Sequence, residues 1–475
     1  MFELVPDSTP QLRFIRAAQE RLREAKLTTP VGSVVRVAGL TIESQGPKAS
    51  LGDLCVIRGA NGREISVEVV GFNSQRLVLM PLDAIDGLGP GDEVRLAIQR
   101  RKVPNASRLS GRVIDALGKP LDGRGAIEFQ TAAGAEGSVP NPLRRARIQE
   151  PLTTGVRAID AFIPLGQGQR IGIFAGSGVG KSTLLGMIAK RSSADVNVVA
   201  LIGERGREVR EFIESDLDEE GRAKSIVVVA TADQPALLRL KAAYLALALS
   251  EQLRDEGKKV LLMMDSVTRF AMAQREIGLA VGEPPTARGY TPSVFAALPR
   301  LLERAGNSDK GSITGIFTVL VEGDDLTEPI ADATRSILDG HIVLTRELAD
   351  RNHWPAIEVL GSISRLNRDL LTEDQLGLQA EIRDLLAIHK QNRDLIGVGA
   401  YIPGTNPRLD QAMATLPRIE AFLKQRQSDP PSRDTLWQEL AEVLRAVAPK
   451  PSTSAGGSVS GRVGGIGSLR AATVR

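Results

Sequence analysis

The sequence is poor in aromatic residues and has a single cysteine among its 475 positions. Aromatic side chains make up only 3% of the chain, which argues against a protein that binds single-stranded nucleic acid by stacking bases on aromatic platforms. Because Cys55 has no second cysteine to pair with, the chain cannot form an intrachain disulfide and is not a disulfide-rich secreted domain. The three histidines are scattered along the sequence and do not predict a zinc site.

Long apolar runs are also missing. No uninterrupted apolar stretch reaches the ~18 residues that a membrane-spanning helix needs. The first ten residues carry acids and prolines, whereas a signal peptide has a basic end followed by an apolar stretch. These patterns predict a chain that is cytoplasmic or that lies on a membrane without crossing it. The net charge of +3 would suit a contact with an anionic surface but does not establish one.

The first hundred residues combine a helical pattern with a strand pattern. Between residues 10 and 27, apolar residues recur at helical spacing and arginines occupy the other faces, which predicts a short amphipathic helix. The pattern leaves open whether this helix packs against its own domain or docks onto another protein. From 28 to 100 the period becomes two, and Asn61-Gly62 marks a hairpin turn. Several short strands without a long helix predict a small β-barrel.

After residue 125 the rhythm changes to short apolar strands that alternate with helical stretches. The strand segments are apolar on both faces, as in a parallel sheet that helices cover on both sides. A doubly wound α/β domain is therefore predicted, with strands at 171–175, 197–202, 226–230, 260–265 and 313–321.

Beyond residue 370 the pattern is helical. Thr372 and Gln375 form a predicted capping box at the start of a helix, and two more helices are predicted near 408–426 and 433–447. The tail from Pro451 is rich in glycine and serine and is predicted to be disordered.

A glycine-rich loop between a strand and a helix carries the clearest chemistry. The string Ala175-Gly-Ser-Gly-Val-Gly-Lys-Ser182 follows one of the apolar strands and opens a helix. Its closely spaced glycines let backbone N–H groups turn toward a phosphate, and the helix start adds the positive end of a dipole. Lys181 would reach the β- and γ-phosphates of ATP, and the Ser182 hydroxyl would ligate Mg²⁺. The predicted nucleotide-binding residues of the loop are Gly176, Ser177, Gly178, Val179, Gly180, Lys181, Ser182 and Thr183.

Two carboxylates at the ends of neighbouring strands would complete a hydrolytic site. Asp265 ends one strand at the carboxyl edge of the sheet, where α/β domains bind ligands, and would hold Mg²⁺ through water. Asp265 could alternatively cap the helix that begins at Ser266. Glu204 ends the adjacent strand and would orient and polarise the water that attacks the γ-phosphate. Arg205 would either stabilise charge on the phosphates or tether Glu204.

With these residues in place, the sequence resembles the catalytic subunits of rotary and secretion ATPases, and most of all the flagellum-specific ATPase and its type III secretion relatives. The resemblance runs from about residue 25 to residue 445. Besides the glycine-rich loop, it rests on the strings at 110–118, 203–208, 265–271, 282–290, 322–325 and 338–343. Together they predict five segments: an amphipathic helix at 1–27, a β-barrel at 28–100, a P-loop ATPase domain at 101–370, a helical domain at 371–449 and a tail at 450–475.

The resemblance implies ATP hydrolysis by a homohexamer that serves protein export. By position, Glu204 is then the catalytic carboxylate, Asp265 is the second magnesium carboxylate, and Arg205 and Arg269 lie near the γ-phosphate. Arg365, in the string Ser362-Ile-Ser-Arg365, matches the arginine that reaches into the site of a neighbouring subunit.

One aromatic position departs from the family. The family usually has tyrosine where this chain has Trp354, and the indole ring would still stack on adenine. The alternative is a buried aromatic side chain before Pro355.

The resemblance also implies partners and a location. Besides copies of itself, the protein would meet a regulatory subunit, a central stalk protein, a membrane export gate and exported proteins or their chaperones. Nucleic acid is not expected. The location would be cytoplasmic, peripheral at the inner face of the cell membrane, and the sequence leaves open whether export is flagellar or virulence-related.

Three other functions would use the same glycine-rich loop. A non-catalytic hexamer subunit would carry glutamine where this chain has Glu204. A nucleic-acid translocase would need aromatic residues in its barrel, yet residues 28–100 contain only Phe72. The catalytic subunit of a rotary proton ATPase shares the chemistry, but the strings at 284–290 and 322–325 resemble the secretion branch more.

Overall fold

A computed structural model describes residue 14 and residues 30–97, 102–131, 143, 145–321, 325–429 and 435–445. The helix predicted between 10 and 27 lies outside the described residues apart from position 14, and so does the tail predicted at 450–475. Residues 322–324, within one of the strings that carry the resemblance, also lie outside them. The domain boundaries proposed above stay predictions.

The predicted barrel is confirmed. Six antiparallel strands close on themselves in the order β1-β2-β5-β4-β3-β6. In β4 every second side chain, at Ile65, Val67 and Val69, is buried inside the barrel, as the period of two requires. Gly62 has a φ of 76° in the turn between β3 and β4, where Asn61-Gly62 predicts it. The strands are β1 Val31–Ala38, β2 Thr41–Gln45, β3 Leu54–Arg58, β4 Glu64–Asn73, β5 Arg76–Pro81 and β6 Glu93–Leu96.

The remaining described strands form one large sheet and two short pairs, β7 with β9 and β10 with β11. The large sheet has the order β19-β18-β12-β17-β15-β13-β14-β8, and β16 pairs with β17. The strands are β7 Lys102–Pro104, β8 Val113–Asp115, β9 Phe129–Thr131, β10 Pro151–Leu152, β11 Leu165–Gly166, β12 Arg170–Ala175, β13 Val196–Glu204, β14 Ser225–Thr231, β15 Lys259–Asp265, β16 Gly306–Asn307, β17 Ser312–Leu320, β18 Gly340–Leu344 and β19 Ile363–Ser364.

The sheet is parallel from β18 to β8, and the edge strand β19 runs antiparallel to β18. Its two faces contact different parts of the core. Along β13, Val198 and Ala200 belong to one buried apolar cluster, whereas Val199 and Leu201 belong to the other. This alternation explains why the strand segments are apolar throughout, and it confirms the predicted covered parallel sheet.

Helices cover both faces of the sheet and form the C-terminal region. The capping box predicted at Thr372 and Gln375 is present, with both reciprocal hydrogen bonds. No helix among the described residues is both long enough and apolar enough to cross a membrane. The helices are α1 Arg157–Phe162, α2 Lys181–Arg191, α3 Gly206–Glu211, α4 Asp218–Ala223, α5 Ala236–Asp255, α6 Val267–Ala280, α7 Pro292–Leu302, α8 Pro329–Ile337, α9 Arg346–Asp350, α10 Asn367–Leu370, α11 Glu373–Gln391, α12 Arg393–Gly397, α13 Pro407–Leu423 and α14 Leu436–Arg445.

Candidate nucleotide-binding site

The glycine-rich loop joins the carboxyl end of β12 to the start of α2. Gly178 and Gly180 have φ angles of 79° and 80°, in the left-handed region that glycine enters at no steric cost. Between them, Val179 is buried in the core and holds the loop against the sheet. The loop therefore turns sharply while staying anchored, which leaves its backbone N–H groups and the start of α2 available to an anion.

Trp354 lies directly against this loop. A Cβ atom added to Gly180 would be 2.8 Å from the indole ring of Trp354, so the loop can approach the ring only because Gly180 lacks a side chain. The ring is 39% exposed and its Nε1 donates a hydrogen bond to Asn352 Oδ1 at 3.2 Å. The alternative of a buried aromatic residue before Pro355 is therefore wrong. An exposed aromatic face beside a phosphate loop suits the stacking of a nucleotide base.

We expect Trp354→Ala to weaken ATP binding by roughly 5- to 150-fold, because stacking of a base on an aromatic ring contributes about 1–3 kcal/mol. Trp354→Phe retains an aromatic face and should lose much less affinity. The measurement is a titration with a fluorescent ATP analogue. Trp437→Ala is the matched control, since Trp437 belongs to α14, whereas Trp354 contacts the glycine-rich loop. Equal affinities of the Trp354→Ala variant and the unchanged protein would contradict base stacking on this residue.

Three charged side chains from separate segments meet behind the loop. Lys181 Nζ lies 2.5 Å from Asp265 Oδ1 and 3.6 Å from Glu204 Oε1. All three side chains are largely buried, with exposed fractions between 4% and 14%. Burial opposes the charge on Lys181, but the two carboxylates outweigh it and raise the pKa of the ammonium group. Lys181 therefore carries its charge into the site.

Asp265 is held in place by a neighbouring strand. Thr318 on β17 donates its Oγ1 hydrogen bond to Asp265 Oδ1 at 2.6 Å. Asp265 does not cap α6: that position belongs to Ser266, whose hydroxyl accepts from the Arg269 N–H, so the capping alternative is wrong. The Asp265 carboxylate is thus fixed by Thr318 in contact with the Lys181 ammonium group.

The residues present fit a magnesium ion that is held mainly by a nucleotide. Among the described residues, no cluster of three or more histidine, cysteine or acidic side chains could hold a metal ion by itself. Mg²⁺ commonly binds through one or two protein oxygens together with phosphate oxygens and water. The Ser182 hydroxyl, which follows Lys181 in α2, and the Asp265 carboxylate, which contacts Lys181 Nζ, would supply these oxygens.

Glu204 has the electrostatic environment of a general base. Burial and repulsion from Asp265 raise the pKa of Glu204 to about 7, although Lys181 partly offsets this effect. Its Oε1 atom is buried and accepts no hydrogen bond. A general base works best with a pKa near the working pH. Glu204 also shares a hydrogen bond with Glu208, in the first turn of the next helix, and this bond lowers the pKa of Glu208 against the effect of its burial.

The two arginines predicted near the γ-phosphate have different surroundings. Arg269 packs against Gly203, where an added Cβ atom would lie 2.9 Å from the arginine Cβ, and its Nε is buried without a hydrogen-bond partner. An unpartnered buried donor at this position suits an anionic ligand. Arg205 instead has a side chain that is 78% exposed and pairs with Glu208 at 3.6 Å. Arg205 therefore pairs with Glu208 and does not tether Glu204 directly, and the alternative role at the phosphates stays a prediction.

Arg365 and the glycine-rich loop of its own chain lie at opposite ends of the strands of the sheet. Its N–H donates to Asp339 O at 3.0 Å, and the Asp339 N–H in turn donates to Arg170 O at the beginning of β12. The glycine-rich loop follows Ala175 at the other end of that strand. With about 3.3 Å per residue, the six residues of β12 place roughly 16 Å between these positions. The exposed Arg365 side chain therefore cannot reach its own phosphate loop.

The structure adds two residues that the sequence analysis missed. Thr318, which fixes Asp265, lies inside an apolar strand and has no signal in its own neighbourhood. Arg346 begins α9 and donates from Nη2 to the Ser177 carbonyl of the glycine-rich loop at 3.3 Å. Its position just after the carboxyl end of β18 is a signal that could have found it, because parallel strands of this sheet end at the ligand-binding edge.

Comparisons with known proteins agree with this geometry. Three family models match: the ATP synthase alpha/beta family β-barrel domain at 34–96, its nucleotide-binding domain at 155–364, and the T3SS EscN ATPase C-terminal domain at 371–442. The chain is 55% identical to the flagellum-specific ATP synthase of Bacillus subtilis over 401 residues, which cover 84% of this chain and 92% of the relative.

A type 3 secretion relative and a solved structure are also similar to the chain. The type 3 secretion system ATPase of Xanthomonas euvesicatoria is 47% identical, with 88% of this chain and 93% of the relative covered. Among solved structures, the assembled ATPase EscN of enteropathogenic E. coli, in complex with its central stalk EscO, superposes with a TM-score of 0.80 at 44% identity. It covers 87% of this chain and 100% of that chain.

Proposed function

The chain belongs to the ATP synthase alpha/beta family and, within it, to the flagellum-specific and type III secretion ATPases, and we propose that its ATP hydrolysis serves protein export through a flagellar type III system. Export by a virulence system is the second candidate, because the type 3 secretion system ATPase of Xanthomonas euvesicatoria is 47% identical to this chain. The match of residues 371–442 to a type III secretion C-terminal domain favours both over a rotary proton ATPase.

The observation that carries the proposal is the buried contact of Lys181 with two carboxylates behind a glycine-rich loop. In the proposed mechanism the loop N–H groups and Lys181 bind the phosphates of ATP and orient the γ-phosphate. Glu204 accepts a proton from the attacking water, as its raised pKa permits. Mg²⁺, held by Ser182 and Asp265, would neutralise charge on the phosphates when bound. Arg269 supplies a further donor to the same anion.

Lys181→Ala tests this assignment. Removing one fixed charge that stabilises a transition state costs about 10²–10³-fold in turnover, and we expect a loss of that size together with weaker ATP binding. Phosphate release and nucleotide titration measure the two effects separately. Lys259→Ala is the matched control, because Lys259 begins β15, at the far edge of the sheet from the Asp265 end, and should leave both quantities unchanged. Unaltered ATPase activity in a folded Lys181→Ala protein would overturn the proposal.

The proposed active assembly is a homohexamer in which each site is completed by Arg365 of a neighbour. The exposed position of Arg365, away from the phosphate loop of its own chain, supports this arrangement. We further propose a central stalk partner, as the EscN structure has one, together with a regulatory subunit, a membrane export gate and exported proteins or their chaperones. The proposed location is cytoplasmic, peripheral at the inner face of the cell membrane, and no nucleic-acid partner is proposed.

A further inference from the structure

A fully buried glutamine lies beside the segment that carries Arg365. Gln169, the residue before β12, has an exposed fraction of 0%. Its Nε2 donates to Ser364 Oγ at 3.1 Å and to Asp339 O at 3.3 Å, and its Oε1 accepts from the Gly166 N–H at 2.8 Å. Burial of an amide costs free energy unless all its hydrogen bonds are made, so a fully bonded amide here defines one arrangement of its neighbours.

Both acceptors of the Gln169 amide are close to the backbone of Arg365. Asp339 O accepts the N–H of Arg365 itself at 3.0 Å. Ser364 immediately precedes Arg365, and its hydroxyl donates to Pro164 O at 2.8 Å. The backbone at residues 364 and 365 is therefore fixed to the sheet, while the Arg365 side chain extends into solvent.

We propose that Gln169 is a positioning residue for Arg365 and therefore serves the active site of the neighbouring subunit. The inference rests on the proposed action of Arg365 in trans. Without the Gln169 amide, Ser364 and the Asp339 carbonyl lose a common donor, and the backbone that carries Arg365 can shift. A displacement of about 1 Å at a catalytic group can lower a rate by roughly 10²-fold.

A rival explanation makes Gln169 important for its own site. Gln169 directly precedes β12, and the other end of β12 carries the glycine-rich loop. Loss of the amide could then loosen the loop of the same chain. The two explanations differ in which subunit suffers: the positioning role impairs the neighbour's site, whereas the rival impairs the site of the mutated chain.

The test uses Gln169→Met, which keeps the length of the side chain and removes its hydrogen bonds. We expect kcat of the assembled protein to fall about 10- to 100-fold with little change in the KM for ATP. When this variant is assembled together with Lys181→Ala protein, activity should recover in part. In mixed assemblies, the intact loop of a Gln169→Met subunit can meet the well-positioned Arg365 of a Lys181→Ala subunit.

Two controls make the result decisive. Asn197→Leu is matched, because Asn197 is also a fully buried amide that donates to a carbonyl, Ala189 O, and to a serine hydroxyl, Ser225 Oγ. It lies near the beginning of β13, a strand that leads to the site. If Asn197→Leu lowers the activity, assembly with Lys181→Ala protein should not restore it, because the Asn197→Leu chain would then be impaired in its own site. Ser364→Ala removes one of the two acceptors of the Gln169 amide, together with the Ser364 bond to Pro164 O. It should show the same loss of kcat and the same partial recovery, and it replaces Gln169→Met as the test if Gln169→Met folds poorly.

The outcomes separate this inference from the proposed function. Suppose that mixing Arg365→Ala with Lys181→Ala protein restores activity, whereas mixing Gln169→Met or Ser364→Ala with Lys181→Ala protein does not. The positioning role of Gln169 is then wrong, and the action of Arg365 on the neighbouring site is supported. If the mixture of Arg365→Ala and Lys181→Ala proteins shows no recovery, the action of Arg365 on the neighbouring site is itself wrong. Unchanged kcat in both folded Gln169→Met and Ser364→Ala proteins would also overturn the inference.

Discussion

Replacement of Arg365 by alanine is expected to lower ATP turnover by roughly 10³–10⁵-fold, the range in which an arginine supplied from outside the phosphate loop accelerates phosphoryl transfer. The affinity for ATP should change much less, because the substitution leaves the glycine-rich loop, Lys181 and Trp354 unaltered. Steady-state phosphate release over a range of protein concentrations measures the effect. In the unchanged protein, specific activity should rise steeply with concentration, since a monomer lacks a neighbour's Arg365.

A mixing experiment separates action in trans from damage to the chain's own site. Arg365→Ala protein has an intact phosphate loop, and Lys181→Ala protein has an intact Arg365. Together they should recover part of the lost activity at mixed interfaces. Arg368→Ala is the control for a general loss of positive charge on this surface, because Arg368 is an exposed arginine three residues after Arg365. Specific activity that stays constant from dilute to concentrated protein would contradict the trans role.

Glu204→Gln should retain ATP affinity and lose about 10²–10⁴-fold in turnover, the usual contribution of a general base. The amide has nearly the shape of the carboxyl group but cannot accept a proton from the attacking water. It also removes one of the two carboxylates near Lys181, which slightly favours the binding of phosphate to the ammonium group. Nucleotide titration and phosphate release on the same preparation distinguish binding from turnover.

Glu214→Gln is the matched control for Glu204→Gln. Glu214 follows in the same connection after β13, but it is exposed and pairs with Arg210 at 2.9 Å on the surface. An exposed pair of this kind contributes little to stability, so this variant should behave like the unchanged protein. If Glu204→Gln lost binding and turnover to the same extent, Glu204 would be a structural residue and the general-base role would be wrong.

Several elements of this protein could be predicted from local sequence because their physical causes are local. The glycine-rich loop is contiguous, so the glycines that permit its turn and the lysine that follows them appear together in eight residues. The capping box at Thr372 and Gln375 involves residues three positions apart on one helix turn. Strands apolar on both faces indicate a covered parallel sheet wherever they occur.

Other features depend on contacts between distant segments, which no local pattern encodes. Arg205 follows Glu204 directly, yet its side chain turns outward to Glu208 because α3 begins at the next residue. Trp354 is near the loop only because Gly180 leaves room for its ring. The partner of Arg205 depends on the direction of the backbone at the end of β13. The partner of Trp354 depends on the close approach of its segment to the glycine-rich loop.

By itself the sequence determined which residues we propose for ATP binding and hydrolysis: Lys181, Ser182, Glu204 and Asp265 each stand at the end of a strand or the start of a helix. Only the tertiary structure decided how they are supported and how far Arg365 lies from the glycine-rich loop of its own chain. The strand order places β17 next to β15, so that Thr318 reaches Asp265, and it places β19 antiparallel at the sheet edge. Strand order is set by packing across the whole core, because every non-proline residue offers the same backbone donor and acceptor and these groups do not select a neighbouring strand.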